Sequence, residues 1–93
     1  MKVFDKMNKI VFFKDDNYKL KDNEEELKST GWTDKLGQPV YERDVIINSL
    51  GYDLIVHYNN YHNSFDAIKD GYGDGYITEK YINNSTVIGL YTE

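Results

Sequence analysis

Apolar residues in this chain come in short β-branched and aromatic runs, each soon broken by Asn, Asp or Gly. Runs of this kind read as strands, because a helix needs a longer pattern with a 3.6-residue period. The longest unbroken one, Ile10-Val11-Phe12-Phe13, lies within Asn8–Lys14, which reads as a buried strand, and is far below the roughly 20 apolar residues of a membrane span. Tyr52 to Tyr58 is the clearest strand, with Leu54, Ile55 and Val56 at its centre. The segment Val40 to Ile47 precedes it across Asn48-Ser49-Leu50-Gly51, so the two are expected to pair as a hairpin.

The remaining elements follow from the same reasoning. Tyr18 to Lys21 alternates and suits a short half-buried strand. Asp22 to Lys28 reads either as one helical turn capped by Asp22 or Asn23, or as a solvated loop. Thr33 to Gln38 carries a turn in which Gly37 can take a positive φ, and Pro39 opens the next strand. Phe65 and Ile68 stand at helical spacing behind Asn63 or Ser64 as a cap, which predicts a short helix over 62–69. Asp70 to Gly75 must turn, and Tyr76–Ile82 and Thr86–Tyr91 are the last two strands. The expected fold is mainly β: one domain over residues 1–93, a small barrel of short antiparallel strands with one short helix. A chain of this size buries roughly 65% of its unfolded surface, enough for a modest core without staples.

The sequence has no Cys, which removes disulfides and thiolate zinc sites. Its net charge of −5 argues against a dedicated binder of phosphate backbones. The charge is uneven. Residues 1–46 carry nine Lys+Arg and ten Asp+Glu, whereas residues 47–93 carry two and six, together with seven of the nine Tyr. The opening Met1-Lys2-Val3-Phe4-Asp5-Lys6 has no apolar stretch of the secretory kind, so a cytoplasmic location is expected.

Motifs for chemistry are sparse. Asp70, Asp74, Gly75, Ile77 and Thr78 fall at calcium-loop positions, but Tyr72 and Tyr81 stand where oxygen ligands belong. His57 and His62 lack metal-ligand spacing and read as one partly buried structural histidine and one exposed one. There is no Gly-x-Ser-x-Gly elbow and no phosphate loop, and the serines fall in turn or cap contexts. The chain is therefore expected not to be an enzyme and to need no cofactor or metal. Trp32 follows Gly31 in an expected loop and is read as a core anchor in preference to an exposed hot spot. Alternation puts Tyr52, Tyr58 and Tyr76 on faces shared with apolar residues, while Tyr61 and Tyr72 fall in loops and are expected exposed.

Three stretches carry a resemblance: Val3-Phe4-Asp5-Lys6-Met7-Asn8-Lys9, the longer Thr30-Gly31-Trp32-Thr33-Asp34-Lys35-Leu36-Gly37-Gln38-Pro39-Val40-Tyr41-Glu42-Arg43-Asp44-Val45-Ile46, and Thr86-Val87-Ile88-Gly89-Leu90-Tyr91-Thr92-Glu93. In order and spacing they resemble the YopX-like proteins of phages and prophages. Phe4 stands where that family often has Trp, and Arg43 where it usually has Gly, which puts the backbone conformation at Arg43 in question. The resemblance implies an SH3-like barrel and a phage or prophage origin, with Asp44 capping a neighbouring loop. It implies no activity.

These features together predict a non-enzymatic binding protein, most simply an inhibitor of a host nucleic-acid-handling or defence protein of the anti-CRISPR kind. Its acidic, Tyr-rich surface would occupy a basic groove, with Asp53, Tyr61, Asp66, Asp70, Tyr72, Asp74 and Glu79 as partner-binding residues. The alternative is a nucleic-acid accessory protein in which Trp32, Tyr58 and Tyr61 stack bases beside the Lys-rich first half. Either a monomer or a dimer fits.

Overall fold

The computed structural model describes residues 1–70 and 72–93, with Tyr72 and Asp74 described by their backbone alone. The chain is mainly β, with every strand pairing antiparallel, and it divides into two units. Its strands form three separate sheets, none of them closed into a barrel. No helix among the described residues is long and apolar enough to cross a membrane.

The first unit spans Met1–Lys28 with Thr92–Glu93. It holds β1 (Lys2–Asp5), β2 (Ile10–Phe13) and β3 (Glu24–Leu27) in the order β2-β1-β3. The strand expected within Asn8–Lys14 is present at Ile10–Phe13, but it is not buried: it lies at the edge of its sheet, with Ile10 and Phe13 53% and 66% exposed. Residues 18–21 are not a strand: the Tyr18 hydroxyl donates to Glu24 Oε1 at 2.8 Å and the Lys21 N–H to the same oxygen at 3.0 Å, which makes a turn. Nor is Asp22–Lys28 a helical turn or wholly a loop: Asp22 and Asn23 turn, and a strand follows. Glu24–Leu27 is a strand because β1 supplies a ladder for it, Val3 opposite Glu26 and Phe4 opposite Glu25. Val3 and Phe4 point to opposite faces of β1, and both are fully buried.

Asp5 ends β1 and organises the turn to β2. Its carboxylate accepts the Asn8 N–H (3.1 Å), the Asn8 side chain (2.9 Å), the Asn23 side chain (2.9 Å) and the Met7 N–H (2.9 Å). The two bonds from Asn8 lead in lowering its pKa to about 2, and burial opposes them. A carboxylate depressed in the folded state stabilises the fold above its unfolded pKa of about 3.9. That stabilisation is lost as pH falls through the folded value. Thermal unfolding followed by circular dichroism should therefore show a midpoint that drops between about pH 4 and pH 2. Asp5→Asn should flatten this acid limb, and an unchanged limb would refute the assignment.

The second unit spans Ser29–Tyr91. Here β4 (Ser29–Thr33) pairs with β5 (Pro39–Tyr41), and a five-stranded sheet runs β10-β6-β7-β8-β9. Its strands are β6 (Asp44–Ile47), β7 (Asp53–Asn59), β8 (Ser64–Lys69), β9 (Tyr72–Tyr76) and β10 (Thr86–Leu90). One short helix, α1 (Glu79–Asn83), precedes β10. Val40, Ile46, Leu54, Val56, Ala67, Ile77 and Ile82 form the core, with Trp32, Phe65, Tyr81 and Val87 packed against it. Trp32, expected as a core anchor, lies 6.4 Å edge-to-face from Phe65, although its residue belongs to β4 rather than a loop.

Four expectations are corrected in this unit. Residues 40–47 are not one strand. The chain breaks at Glu42-Arg43, where Arg43 adopts φ +73° and the Asp44 carboxylate accepts the Tyr41 N–H at 2.8 Å. The left-handed conformation that a glycine would take freely is thus kept by an arginine, and Asp44 does cap the loop. The helix expected over 62–69 is strand β8, since Tyr58↔Phe65 and Val56↔Ala67 pairing outweighs the local helical spacing. The turn expected over 70–75 gives way to β9 from Tyr72. Gly73 is needed there, because a Cβ would lie 1.9 Å from the Ala67 carbonyl oxygen. Residues 76–82 are not a continuous strand: Thr78 accepts the Tyr81 N–H (3.3 Å) and caps α1.

Candidate interaction surface

The side chains facing out from the five-stranded sheet fall into rows set by its register. Leu54 and Val56 point into the core, so Asp53, Ile55, His57 and Asn59 point outward. One row runs Gly89–Val45–Ile55–Ile68–Gly73 across all five strands. The next is His57–Asp66–Tyr76.

In that second row the Nδ1 of His57 is 4.0 Å from the Asp66 carboxylate, which also receives the Asn59 side-chain amide at 3.4 Å. The row ends in an aromatic group. His62 stands edge-on to Tyr76 with ring centres 5.8 Å apart, and Tyr61 lies 6.3 Å from His62. Tyr61, 93% exposed, is the most exposed large apolar side chain of the described residues. Asn59 fixes its turn by accepting the Tyr61 N–H (2.9 Å) and the His62 N–H (3.3 Å), and the Tyr58 hydroxyl donates to Asn63 (3.1 Å).

The residues expected to bind a partner are divided by this geometry. Tyr61 and Asp66 lie toward the β7–β8 turn. Asp53 and Asp70 lie at the far ends of the same strands, and Asp53 is bonded to Lys69 Nζ at 2.9 Å. That hydrogen bond, with the ammonium charge behind it, holds the Asp53 carboxyl below its ordinary range. Glu79 is exposed in the first turn of α1. The side chains of Tyr72 and Asp74 lie outside the described residues. Tyr52 and Tyr76 are exposed, at 63% and 62%, instead of sharing buried faces, and both histidines are exposed. Strand alternation fails to predict this at Tyr52 because the residue belongs to a turn.

His57, His62 and Tyr76 join the surface although the sequence reading had not singled them out as partner-binding. The signal was the turn-rich Asn59-Asn60-Tyr61-His62-Asn63 between two apolar runs, which marks a hairpin and sets His57 opposite Asp66.

A common device recurs at five turns. Asp5, Asp15, Asp34, Asn48 and Asn59 each accept, on Oδ1, the N–H of the residue two positions on, at 2.9–3.2 Å. One residue so held is the polar Asn17; the other four are Met7, Leu36, Leu50 and Tyr61, the four most exposed large apolar side chains among the described residues. Turn positions ordinarily favour Gly, Asn, Asp or Ser. Here they hold apolar anchors outward on turns stiffened by side-chain hydrogen bonds. Among the described residues no group of three or more His, Asp or Glu is arranged to hold a metal ion. No known family model matches the chain, and no curated protein matches it either.

Proposed function

We propose that this chain is a non-enzymatic binding protein that engages a basic groove of another protein through the β7–β8 end of its five-stranded sheet. The observation that carries the reading is Tyr61 held outward on a rigid turn, with His62, Tyr76 and the Asp66 carboxylate alongside. A guanidinium stacks on tyrosine and pairs with a carboxylate, and a preorganised tyrosine offers large contact area at low entropic cost. Within the resemblance to phage proteins, the partner is a host nucleic-acid-handling or defence protein, and the setting is the host cytoplasm. The SH3-like barrel belongs to the same proposal. Short antiparallel strands and one short helix support it, and the open sheets do not.

The base-stacking alternative is weaker. Trp32 and Tyr58 are engaged with Phe65, and Lys14 lies over the rings of Phe12 and Tyr18.

The test is affinity capture from a nuclease-treated bacterial extract. The expected result is one stoichiometric nucleic-acid-handling protein, released by added DNA and by salt. Tyr61→Ser with Tyr76→Ser should weaken capture about tenfold or more, as for a pair of interface anchors. Undiminished capture by that variant overturns the assignment of the surface. A shift of labelled single-stranded DNA at physiological salt would replace the reading with direct nucleic-acid binding.

A further inference from the structure

The geometry points to a binding site for an organic cation in the first unit: a corner of two aromatic rings that selects a trimethylammonium group and that Lys14 fills in its absence. Phe12 and Tyr18 stand edge to face, with ring centres 6.1 Å apart and planes at 86°. The Lys14 ammonium lies 5.9 Å from the Phe12 ring centre and 5.3 Å from that of Tyr18, so one cation serves both rings. Both distances fall within the roughly 6 Å at which a ring quadrupole attracts a cation.

Local structure holds the two rings in place independently of the lysine. Phe12 is fixed by the register of β2, opposite Val3. Val3, Asp5, Ile10, Phe12, Glu24 and Glu26 share one face of the sheet β2-β1-β3; three of them are carboxylates and none is basic. Tyr18 lies across that face. Its ring meets Phe12 on one outer strand, and its hydroxyl donates to Glu24 on the other at 2.8 Å. Its N–H donates to the Asp15 carbonyl (3.2 Å), and the Asp15 carboxylate accepts the Asn17 N–H (3.2 Å). A hydroxyl that donates to a carboxylate leaves more negative charge on its ring, which strengthens the hold on a cation. Both rings are half-buried whereas Lys14 is exposed, so the lysine is the replaceable member of the three.

The ligand's chemistry follows from what a lysine does poorly here. A primary ammonium is strongly hydrated, and over exposed rings it gains only a few-fold in binding. A trimethylammonium group sheds water more readily, brings apolar surface to both rings and needs no hydrogen-bond acceptor. Lys14, tethered beside the corner at an effective concentration on the order of millimolar, competes with such a ligand without excluding it. Residues 1–28 carry seven Lys and seven Asp+Glu, and the Met1 ammonium is 3.5 Å from Asp16. With charge so balanced, selection rests on the rings rather than on a general attraction of cations.

An NMR titration of the full chain with choline chloride, read on the ring signals of Phe12 and Tyr18, tests this. The expected result is a saturable shift, half complete at about 1–10 mM, the weak end expected of a small exposed site. Potassium chloride, and the uncharged isostere of choline with a tert-butyl group for the trimethylammonium, should not produce it. Lys14→Ser should tighten binding about threefold or more with an unchanged thermal midpoint, since the side chain is exposed. Tyr18→Leu should abolish the shift. Tyr18→Phe, which keeps the ring and loses the bond to Glu24, should retain part of it, which separates loss of the ring from loss of the fold. A short peptide with one trimethyl-lysine forms the second arm, and its unmethylated twin should bind about threefold more weakly or worse. Tighter binding of the methylated peptide than of choline assigns the group to a protein side chain, and the reverse order to a free small molecule; either supports the site. An unsaturable shift, an equal response to the isostere or to potassium, no gain from Lys14→Ser, or equal binding of the two peptides overturns the inference. Tyr61→Ser with Tyr76→Ser should leave the choline response unchanged, so the site stands or falls apart from the Tyr61 surface.

Discussion

Asp34→Ala should lower the unfolding free energy by about 3–5 kcal/mol, seen as a large fall in the urea midpoint without a change in slope. The Asp34 carboxylate is buried, and it accepts four hydrogen bonds: Leu36 N–H (2.9 Å), Gln38 N–H (2.8 Å), the Gln38 side chain (2.9 Å) and Val87 N–H (2.9 Å). The alanine variant leaves three backbone donors without their acceptor, and each unsatisfied buried donor costs about 1–3 kcal/mol. The Val87 bond joins positions 53 apart in sequence, so its loss also frees the β4–β5 turn from β10. Burial pushes the Asp34 pKa up, but the hydrogen bonds from Val87, Gln38 and Leu36 outweigh it, and the net shift is downward. The sign is that of Asp5: the contribution is present above the ordinary carboxylate pKa and fades as pH falls below it. Asp34→Asn, which keeps one acceptor oxygen, should cost about half as much. A loss below about 1 kcal/mol for Asp34→Ala would show that water replaces the carboxylate in this turn.

Much of the second unit is legible in the sequence because its strong signals are local. Leu54-Ile55-Val56 admits little but a strand, Gly37 takes φ +81° in its turn, and Pro39 begins β5. What was illegible is set by distant partners. Glu24-Glu25-Glu26 has no strand character of its own and becomes β3 only beside Val3 and Phe4. Phe65 and Ile68 stand three apart, a spacing as good for a helix, until the register with β7 turns Phe65 inward with Ala67 and Ile68 outward. That misreading also hid the His57–Asp66 pair, which exists only across a hairpin. The surface was legible as composition, in the acidic and Tyr-rich second half. Its division into a Tyr61 end and a Leu50 end depends on which end of β7 each turn occupies, and residue counts do not carry that.

Adjacent isoleucines give the sharpest test of the register. Ile46 has no exposed surface and sits between Leu54 on β7 and Val87 on β10, whereas Ile47 is 36% exposed on the other face, between Asp53 and Thr86. Ile46→Ala should cost about 3–5 kcal/mol, the transfer term plus a cavity bounded by strands on both sides that cannot close in. Ile47→Ala removes the same atoms from a half-solvated position and should cost about 1 kcal/mol or less. The two variants have identical composition, so propensity and unfolded-state effects nearly cancel in their difference. A one-residue slip of β6 would carry Ile46 to the outer face and Ile47 to the core, and the order of the two losses would invert. Equal losses would mean that both faces of β6 are buried in solution.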